Sequence, residues 1–215
     1  MAVVVVGGAW QWWQLLPIPL WLVLAMLAAH LGHGPGKRLQ DRLWVEWGGP
    51  PTTIHMRWAT ASNLTRLADL HEAINSIVGP SLKLPSLAEE MADPSAADDI
   101  YAAAASKLIA LTNSADSYPQ LKGHLVWYCF RRSLFGLRRV GLVVAYAAAF
   151  VGLALALVSS IVGWERAATA GGLFIAIFGV LIAVFLHKVS STFVREAADR
   201  YALELLKSAH TLSRN

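Results

Sequence analysis

Two arginine pairs near the middle of the chain are the strongest candidates for a binding site. Arg131-Arg132 is followed by Ser-Leu-Phe-Gly-Leu and then by Arg138-Arg139, and three aromatic residues precede the run. Guanidinium groups beside aromatic rings suit multidentate phosphate recognition. The same cations at a membrane surface attract anionic headgroups, with roughly 1 kcal/mol per cation. The run therefore predicts either interfacial anchoring to lipid phosphate or a site for a phosphate-bearing ligand.

The other chemically capable residues have simpler structural interpretations. His71-Glu72 has no second ligand three or four residues away, which favours a solvated helix face. Asp98-Asp99 near a helix start favours stabilisation of the positive dipole end. The single cysteine, Cys129, excludes an intramolecular disulfide and favours a buried, inert thiol.

Catalytic signatures are missing from the sequence. It contains no nucleophile elbow, phosphate loop or zinc-protease motif. We therefore expect a non-enzymatic protein with no metal and no cofactor. A membrane-bound hydrolase remains a distant alternative, because acid and base residues are present without a recognisable constellation.

The composition indicates a membrane protein. Hydrophobic residues make up 56% and charged residues only 15% of the 215 residues, against about 25% charged residues in soluble domains. Asp, Glu, Lys and Arg are missing from 1–36, 140–164 and 167–187. As helices, the second and third stretches measure roughly 36 and 30 Å, enough to cross a bilayer core. The first contains glycines and prolines but is interpreted as a retained span, with a cleaved signal peptide as the alternative.

The cations predict the orientation. They follow the first span, precede the second and follow the third, whereas the link between the last two spans carries only Glu165 and Arg166. The positive-inside rule then places the N-terminus outside and the C-terminus in the cytoplasm of a bacterial inner membrane. We attribute the formal charge of +4 to this topology rather than to nucleic-acid binding.

Small residues form a ridge on each of the last two spans. In lipid, such ridges let helix backbones approach closely. They either seal the hairpin within one chain or contact another subunit of a homo-oligomer. The predicted packing positions are Gly141, Ala145, Ala148, Gly152 and Ala156 on one span and Gly172, Ala176, Gly179 and Ala183 on the other.

The predicted architecture is an all-α membrane protein with four parts. These are an N-terminal transmembrane segment (1–36), a mainly helical cytoplasmic module (37–139), a transmembrane hairpin (140–187) and an amphipathic helical tail (188–215). Alternating β-branched residues predict one short extended segment in the module at 52–58. No Gly or Pro interrupts 180–215, so the third span is expected to continue as a helix, whose apolar face packs on the module or on another subunit.

Several motifs resemble a poorly characterised family of bacterial inner-membrane proteins. They are W-G-G-P-P-T-T at 47–53, Arg57, L-P at 84–85 with Glu89 and Glu90, Pro94 with Ala97, Asp98 and Tyr101, and Y-C-F-R-R-S-L-F-G-L at 128–137. The resemblance covers about 40–140 and the adjacent hairpin. It implies no settled activity, but it implies an association with defence-related gene neighbourhoods. Departures are Cys129 in place of glycine, Ser133 in place of asparagine and Leu111-Thr112-Asn113 in place of a Thr-Arg pair.

The sequence therefore predicts an oligomeric inner-membrane effector or accessory protein, with antiphage defence as the setting that the resemblance implies. Its module would bind a ligand or a cytoplasmic protein partner and couple it to the hairpin. A membrane-anchored scaffold for a protein partner is the alternative.

Overall fold

The computed structural model describes residues 39–113, 118–164 and 166–214, and this part of the chain is all-helical. The helices are α1 (39–47), α2 (Pro51–Met56), α3 (Leu64–Val78), α4 (Leu87–Ala92), α5 (Pro94–Leu111), α6 (Pro119–Val162), α7 (Arg166–Lys188) and α8 (Ser191–Leu212), with 3₁₀ turns at Trp58–Thr60 and Pro80–Leu82. The all-α prediction is confirmed for these residues. The predicted first span lies outside them.

Side-chain caps begin the module helices where the sequence signals them. The Asn63 carboxamide accepts the Arg66 N–H at 3.0 Å before α3. Ser86 and Glu89 form a reciprocal capping box before α4, and Asp93 accepts two backbone N–H groups before α5. Each cap satisfies donors that the first helical turn leaves without intrahelical partners.

The predicted extended segment at 52–58 is wrong. Residues 51–56 form α2, because Pro51 occupies the first helical position, where its fixed φ suits a helix. Gly48 and Gly49 make the preceding turn with φ of +83° and +138°, a backbone region that glycine adopts without strain. The β propensity of residues 52–58 does not decide their structure, since the described residues contain no strand with which this segment could pair.

Two helices, α6 and α7, are long and apolar enough to cross a membrane. They pack against each other as an antiparallel hairpin, since Gly152 contacts Gly172 and Gly179 contacts Ala145. Gly163 ends α6 in the left-handed conformation, at φ +74°. Helix α6 thus ends at Val162, and α7 begins at Arg166.

The predicted continuation of the third span into one long tail helix is wrong. Helix α7 ends at Lys188, and α8 begins at Ser191 after Ser190 accepts the Phe193 N–H at 3.3 Å. The break lets the tail return to the module, where its apolar face is buried against the same chain.

Two apolar clusters hold the module together, and α8 contributes to both. Leu205 and Leu206 lie in the larger cluster with residues of α2, α3, α5 and the start of α6, including Met56, Ile74 and Tyr101. In the smaller cluster, α8 packs against α1 and against Tyr128 of α6. The module therefore packs against both α6, which leads into the hairpin, and α8, which follows it.

Candidate functional site at the junction of module and hairpin

Arg131 connects α6, which runs from the module into the hairpin, with α8, which follows the hairpin. Its Nη1 donates to the Phe193 carbonyl at 2.9 Å and lies 3.4 Å from Glu196 Oε2. The guanidinium carbon sits 4.2 Å from the centre of the Phe193 ring, a favourable cation–π distance. Arg131 thus holds α6 to the first turns of α8.

The other three arginines face different surroundings. Arg132 donates to the Gln40 side chain of α1 and lies 5.4 Å from the centre of the Tyr128 ring. Arg138 Nη2 lies 3.5 Å from the His187 carbonyl at the end of α7. Arg139 is exposed. Arg131 and Arg138 lie two turns apart on one face of α6, and Arg132 and Arg139 lie two turns apart on the adjacent face. A phosphate or lipid role for them remains a prediction.

Arg57 organises the glycine turn and α5. Its Nε and Nη2 donate to the two Asp98 oxygens at 2.7 and 2.6 Å, and its Nη1 donates to the Gly48 carbonyl at 2.9 Å. A Cβ on Gly49 would lie 2.9 Å from Arg57 Nη2. Asp98 is therefore half of an ion pair, and the predicted helix-dipole role does not account for its position in the second turn of α5.

Glu90 gathers three donors inside the module and is only 5% exposed. It accepts the Tyr101 hydroxyl at 2.7 Å and the backbone N–H groups of Trp58 and Ala59 at 2.9 and 3.0 Å. Burial opposes ionisation, but these hydrogen bonds outweigh it and hold the pKa of Glu90 below its usual value. Burial and the carboxylate together raise the pKa of Tyr101. Glu90 therefore has a structural role, since it joins Tyr101 of α5 to the 3₁₀ turn at Trp58–Thr60.

His71 is buried, so the predicted solvated face is wrong for this residue, whereas Glu72 is exposed. Its Nε2 lies 2.8 Å from the Met56 carbonyl, which can only accept, so this nitrogen carries the proton. Burial lowers the pKa of His71, against the opposing effects of that hydrogen bond and of Glu90. The Trp58 ring packs edge-on at 4.7 Å.

A cavity of about 380 Å³ opens where α1, α2, α5, α6 and α8 meet. Its polar wall includes Trp44, Thr53, Tyr128 and Arg132, and Cys129 also lines it. The remaining lining residues are Gln40, Pro50, Pro51, Thr52, Ala102, Ala105, Ser106, Ile109, Leu125, Ala198, Tyr201 and Ala202. The predicted inert thiol is therefore half-buried on a cavity wall.

Four polar atoms of residues that line this cavity are buried and make no short hydrogen bond within the described residues, although the Trp44 and Tyr128 side chains lie within hydrogen-bonding reach of each other. The four atoms are Trp44 Nε1, Thr53 Oγ1, Tyr128 OH and Arg132 Nε. Sequence reasoning identified Arg132 and placed Tyr128 and Thr53 in motifs, but it did not identify Trp44. These residues become neighbours only because α1, α2 and α6 pack together, so their spacing along the chain does not predict that they share a cavity.

The small-residue ridges of the hairpin face each other within the chain. A Cβ on Gly152 would lie 2.5 Å from the Ala176 nitrogen, and one on Gly179 would lie 2.7 Å from the Ala145 carbonyl. Gly172 is equally close to Ala156, whereas Gly141 faces only the flexible Leu186 side chain. The backbones approach too closely here for any residue larger than glycine.

Comparison with known proteins gives no relative for this chain. No family model, no curated protein and no solved structure matches it.

Proposed function

We propose that the protein is a non-enzymatic effector of the bacterial inner membrane whose cytoplasmic module binds a ligand or partner and transmits that state to the hairpin. The N-terminus would lie outside and the C-terminus inside, as the cation distribution indicates. The family resemblance supports antiphage defence as its setting. Assembly into a homo-oligomer would be needed for the three predicted spans of each chain to alter ion permeability.

One observation carries this proposal: α6 is a single helix of 44 residues that belongs to both halves of the molecule. Its first part buries Leu121 and Tyr128 in the module, and its second part buries Gly152 and Ala156 against α7. No break separates the two parts. A tilt or rotation of α6 in the module would therefore reach the hairpin directly, without a flexible linker to absorb it.

Substitution at Gly136 tests this coupling. A Cβ at this position would lie 3.4 Å from the Leu39 side chain, an ordinary contact, so Gly136→Ala preserves the helix. Gly136→Pro removes a backbone donor and kinks it. Overproduced wild type and Gly136→Ala should depolarise the inner membrane, as a potential-sensitive dye would record, and equally inserted Gly136→Pro should not. Equal depolarisation by Gly136→Pro would overturn the proposal.

A membrane-anchored scaffold is the second candidate, favoured by an exposed aromatic pair on the module half of α6. Trp127 and Phe130 are 61% and 54% exposed and pack edge-on at 5.8 Å. A scaffold would retain one fixed protein partner, lose it in Trp127→Ser, and leave the membrane potential unchanged at every expression level.

A further inference from the structure

The membrane half of α6 has a second apolar face, opposite the one that α7 covers. Helix α7 packs on the face that carries Gly141, Ala145, Gly152 and Ala156. About half a turn away, at about 100° per residue, a line of residues continues from Gly136 with helical spacing. We call this line the outer face of α6, and it consists of Val140, Val143, Ala147, Phe150 and Ala154. Val140, Val143 and Phe150 are 63%, 70% and 74% exposed.

Exposure within a membrane does not by itself indicate a partner, because lipid tails also cover apolar side chains. The position of α1 does indicate one. Arg132 of α6 donates to the Gln40 side chain of α1. Further along α1 and further back along α6, the Trp44 and Tyr128 side chains lie within hydrogen-bonding reach of each other. Residue numbers fall along α6 as they rise along α1, so the two helices are antiparallel.

The first described residue of the chain, Leu39, lies close to the predicted membrane boundary. A Cβ on Gly136 would lie 3.4 Å from the Leu39 side chain. Gly136 comes one helical turn, about 6 Å, before Val140, where the charge-free stretch of α6 begins. Traced backwards from Leu39, the chain therefore approaches the bilayer on the side of α6 that carries the outer face. The 38 residues before Leu39 lie outside the described part of the structure.

Those 38 residues include a segment whose length and composition suit the outer face. Residues 15–31 contain no Asp, Glu, Lys or Arg, and as a helix they would measure about 26 Å, close to the thickness of a bilayer core. Ala25 and Ala29 are four residues apart in this segment, and Ala147 and Ala154 are two turns apart on the outer face. Small residues let helix backbones pack closely in lipid. The segment and the face therefore offer each other a close helix contact.

We propose that residues 15–31 dock on the outer face of α6, antiparallel to it, so that α6 becomes the central helix of the membrane domain with α7 on its other side. If the register of α1 continues, Ala25 lies near Ala147, and the glycines and proline at 32–36 can shift this by about one turn. The inference rests on the predicted first span. It goes beyond the proposed function, because this packing does not depend on whether the hairpin alters the membrane potential.

Paired cysteines test the arrangement, since Cys129→Ser removes the single native cysteine of the chain. Full-length protein in native membranes would carry Ala25→Cys together with Val143→Cys, Ala147→Cys or Phe150→Cys, and would be oxidised with copper phenanthroline. A disulfide needs Cα atoms within about 7 Å, so at least one of the three pairs should close about tenfold faster than a control pair on α7. The three positions together cover the shift in register.

The control pair combines Ala25→Cys with Phe178→Cys. Phe178 is 53% exposed on α7, and it precedes Gly179, which contacts Ala145 and Ala149 of α6. Phe178 therefore lies at the depth of Ala147 but on a different helix. After denaturation, N-ethylmaleimide labels both cysteines of an open pair and neither cysteine of a closed one. Intact mass then gives the closed fraction, and shows whether each disulfide lies within one chain or joins two.

A photoreactive side chain gives a second measurement that does not depend on register. Benzoylphenylalanine in place of Phe150 should cross-link to residues 15–31 of the same chain, and in place of Phe178 it should not. Peptide mass spectrometry would identify the linked residues. If a cysteine pair does not accumulate, cross-linking from Phe150 decides the contact.

Three results would overturn the inference. Disulfides found only in dimers would assign the outer face to a second copy of the chain. Equal closure of the Phe178 pair, or cross-links from Phe150 to lipid alone, would show that the segment has no fixed place on α6. A mature mass that lacks residues 15–31 would identify a cleaved signal peptide. An unchanged membrane potential would instead reject the proposed function and leave the docking of the segment in place.

Discussion

Arg57 donates two parallel hydrogen bonds to the Asp98 carboxylate, from Nε to Oδ1 at 2.7 Å and from Nη2 to Oδ2 at 2.6 Å. The two residues lie 41 positions apart, and the pair fastens the end of α2 to the second turn of α5. The Arg57 side chain also donates to the Gly48 carbonyl. The glycine turn, α2 and α5 therefore form one unit, on which two walls of the cavity depend.

Removal of the Asp98 charge should destabilise the module. Asp98→Asn weakens both bonds while leaving the partly buried Arg57 charge without its counterion, at an expected cost of about 1–3 kcal/mol. The neighbouring Asp99 is exposed, so Asp99→Asn should change stability by less than about 0.5 kcal/mol. Thermal denaturation of the two purified variants checks this, and equal stability would contradict the assigned role.

Acidification should destabilise the module through His71 first. Its pKa in the folded protein is lowered by burial from the ordinary value of 6.5, so the unfolded chain takes up the proton more readily. The stabilisation is present above about pH 6.5 and is lost as the pH falls below it. The lowered pKa of Glu90 has the same sign, but its contribution is lost only below about pH 4.5.

The melting temperature measured between pH 8 and 5 tests this assignment. His71→Gln should flatten the decline between pH 6.5 and 5, and His124→Gln, on the half-buried side of α6, should retain it. An unchanged decline in His71→Gln would show that other groups control the pH dependence.

The hairpin should tolerate no side chain at its closest glycines. Gly152→Ala would place a methyl group 2.5 Å from a backbone nitrogen of α7, and we expect a loss of about 1–3 kcal/mol from overpacking. A Cβ on Gly171 meets no described atom within 4 Å, so Gly171→Ala is the matched control. Thermal stability in detergent should fall for the first variant and remain unchanged for the second.

The predicted orientation has its own test in reporter fusions. Fusions after Gly123 and at the C-terminus should report the cytoplasm, and a fusion after Trp164, at the tip of the hairpin, should report the periplasm. A periplasmic signal after Gly123 would invert the topology and remove the cytoplasmic module.

The sequence predicted the features that depend on neighbouring residues, such as the starts of the module helices. Asn63, Ser86 and Asp93 start helices because caps act within three residues. The cavity and the Arg57–Asp98 pair were beyond reach, since they unite residues from distant helices. Both errors of secondary structure came from overlooking a local helix start. The β-branched residues after Pro51 were given more weight than the proline at the first position of α2, and the absence of Gly and Pro from 180–215 hid the Ser190 cap that starts α8.

The most direct test of coupling between module and hairpin is the membrane depolarisation caused by variants in which the charges of Arg131 and Glu196 are reversed. Arg131 and Glu196 join α6 to α8 at 3.4 Å. Arg131→Glu should abolish depolarisation of the inner membrane without preventing insertion, because Arg138 and Arg139 still satisfy the positive-inside rule. The double variant Arg131→Glu/Glu196→Arg restores the ion pair but not the hydrogen bond to the Phe193 carbonyl, so it should recover depolarisation only in part. If wild-type protein inserts but leaves the potential unchanged at every expression level, or if Arg131→Glu depolarises as strongly as wild type, the account is contradicted.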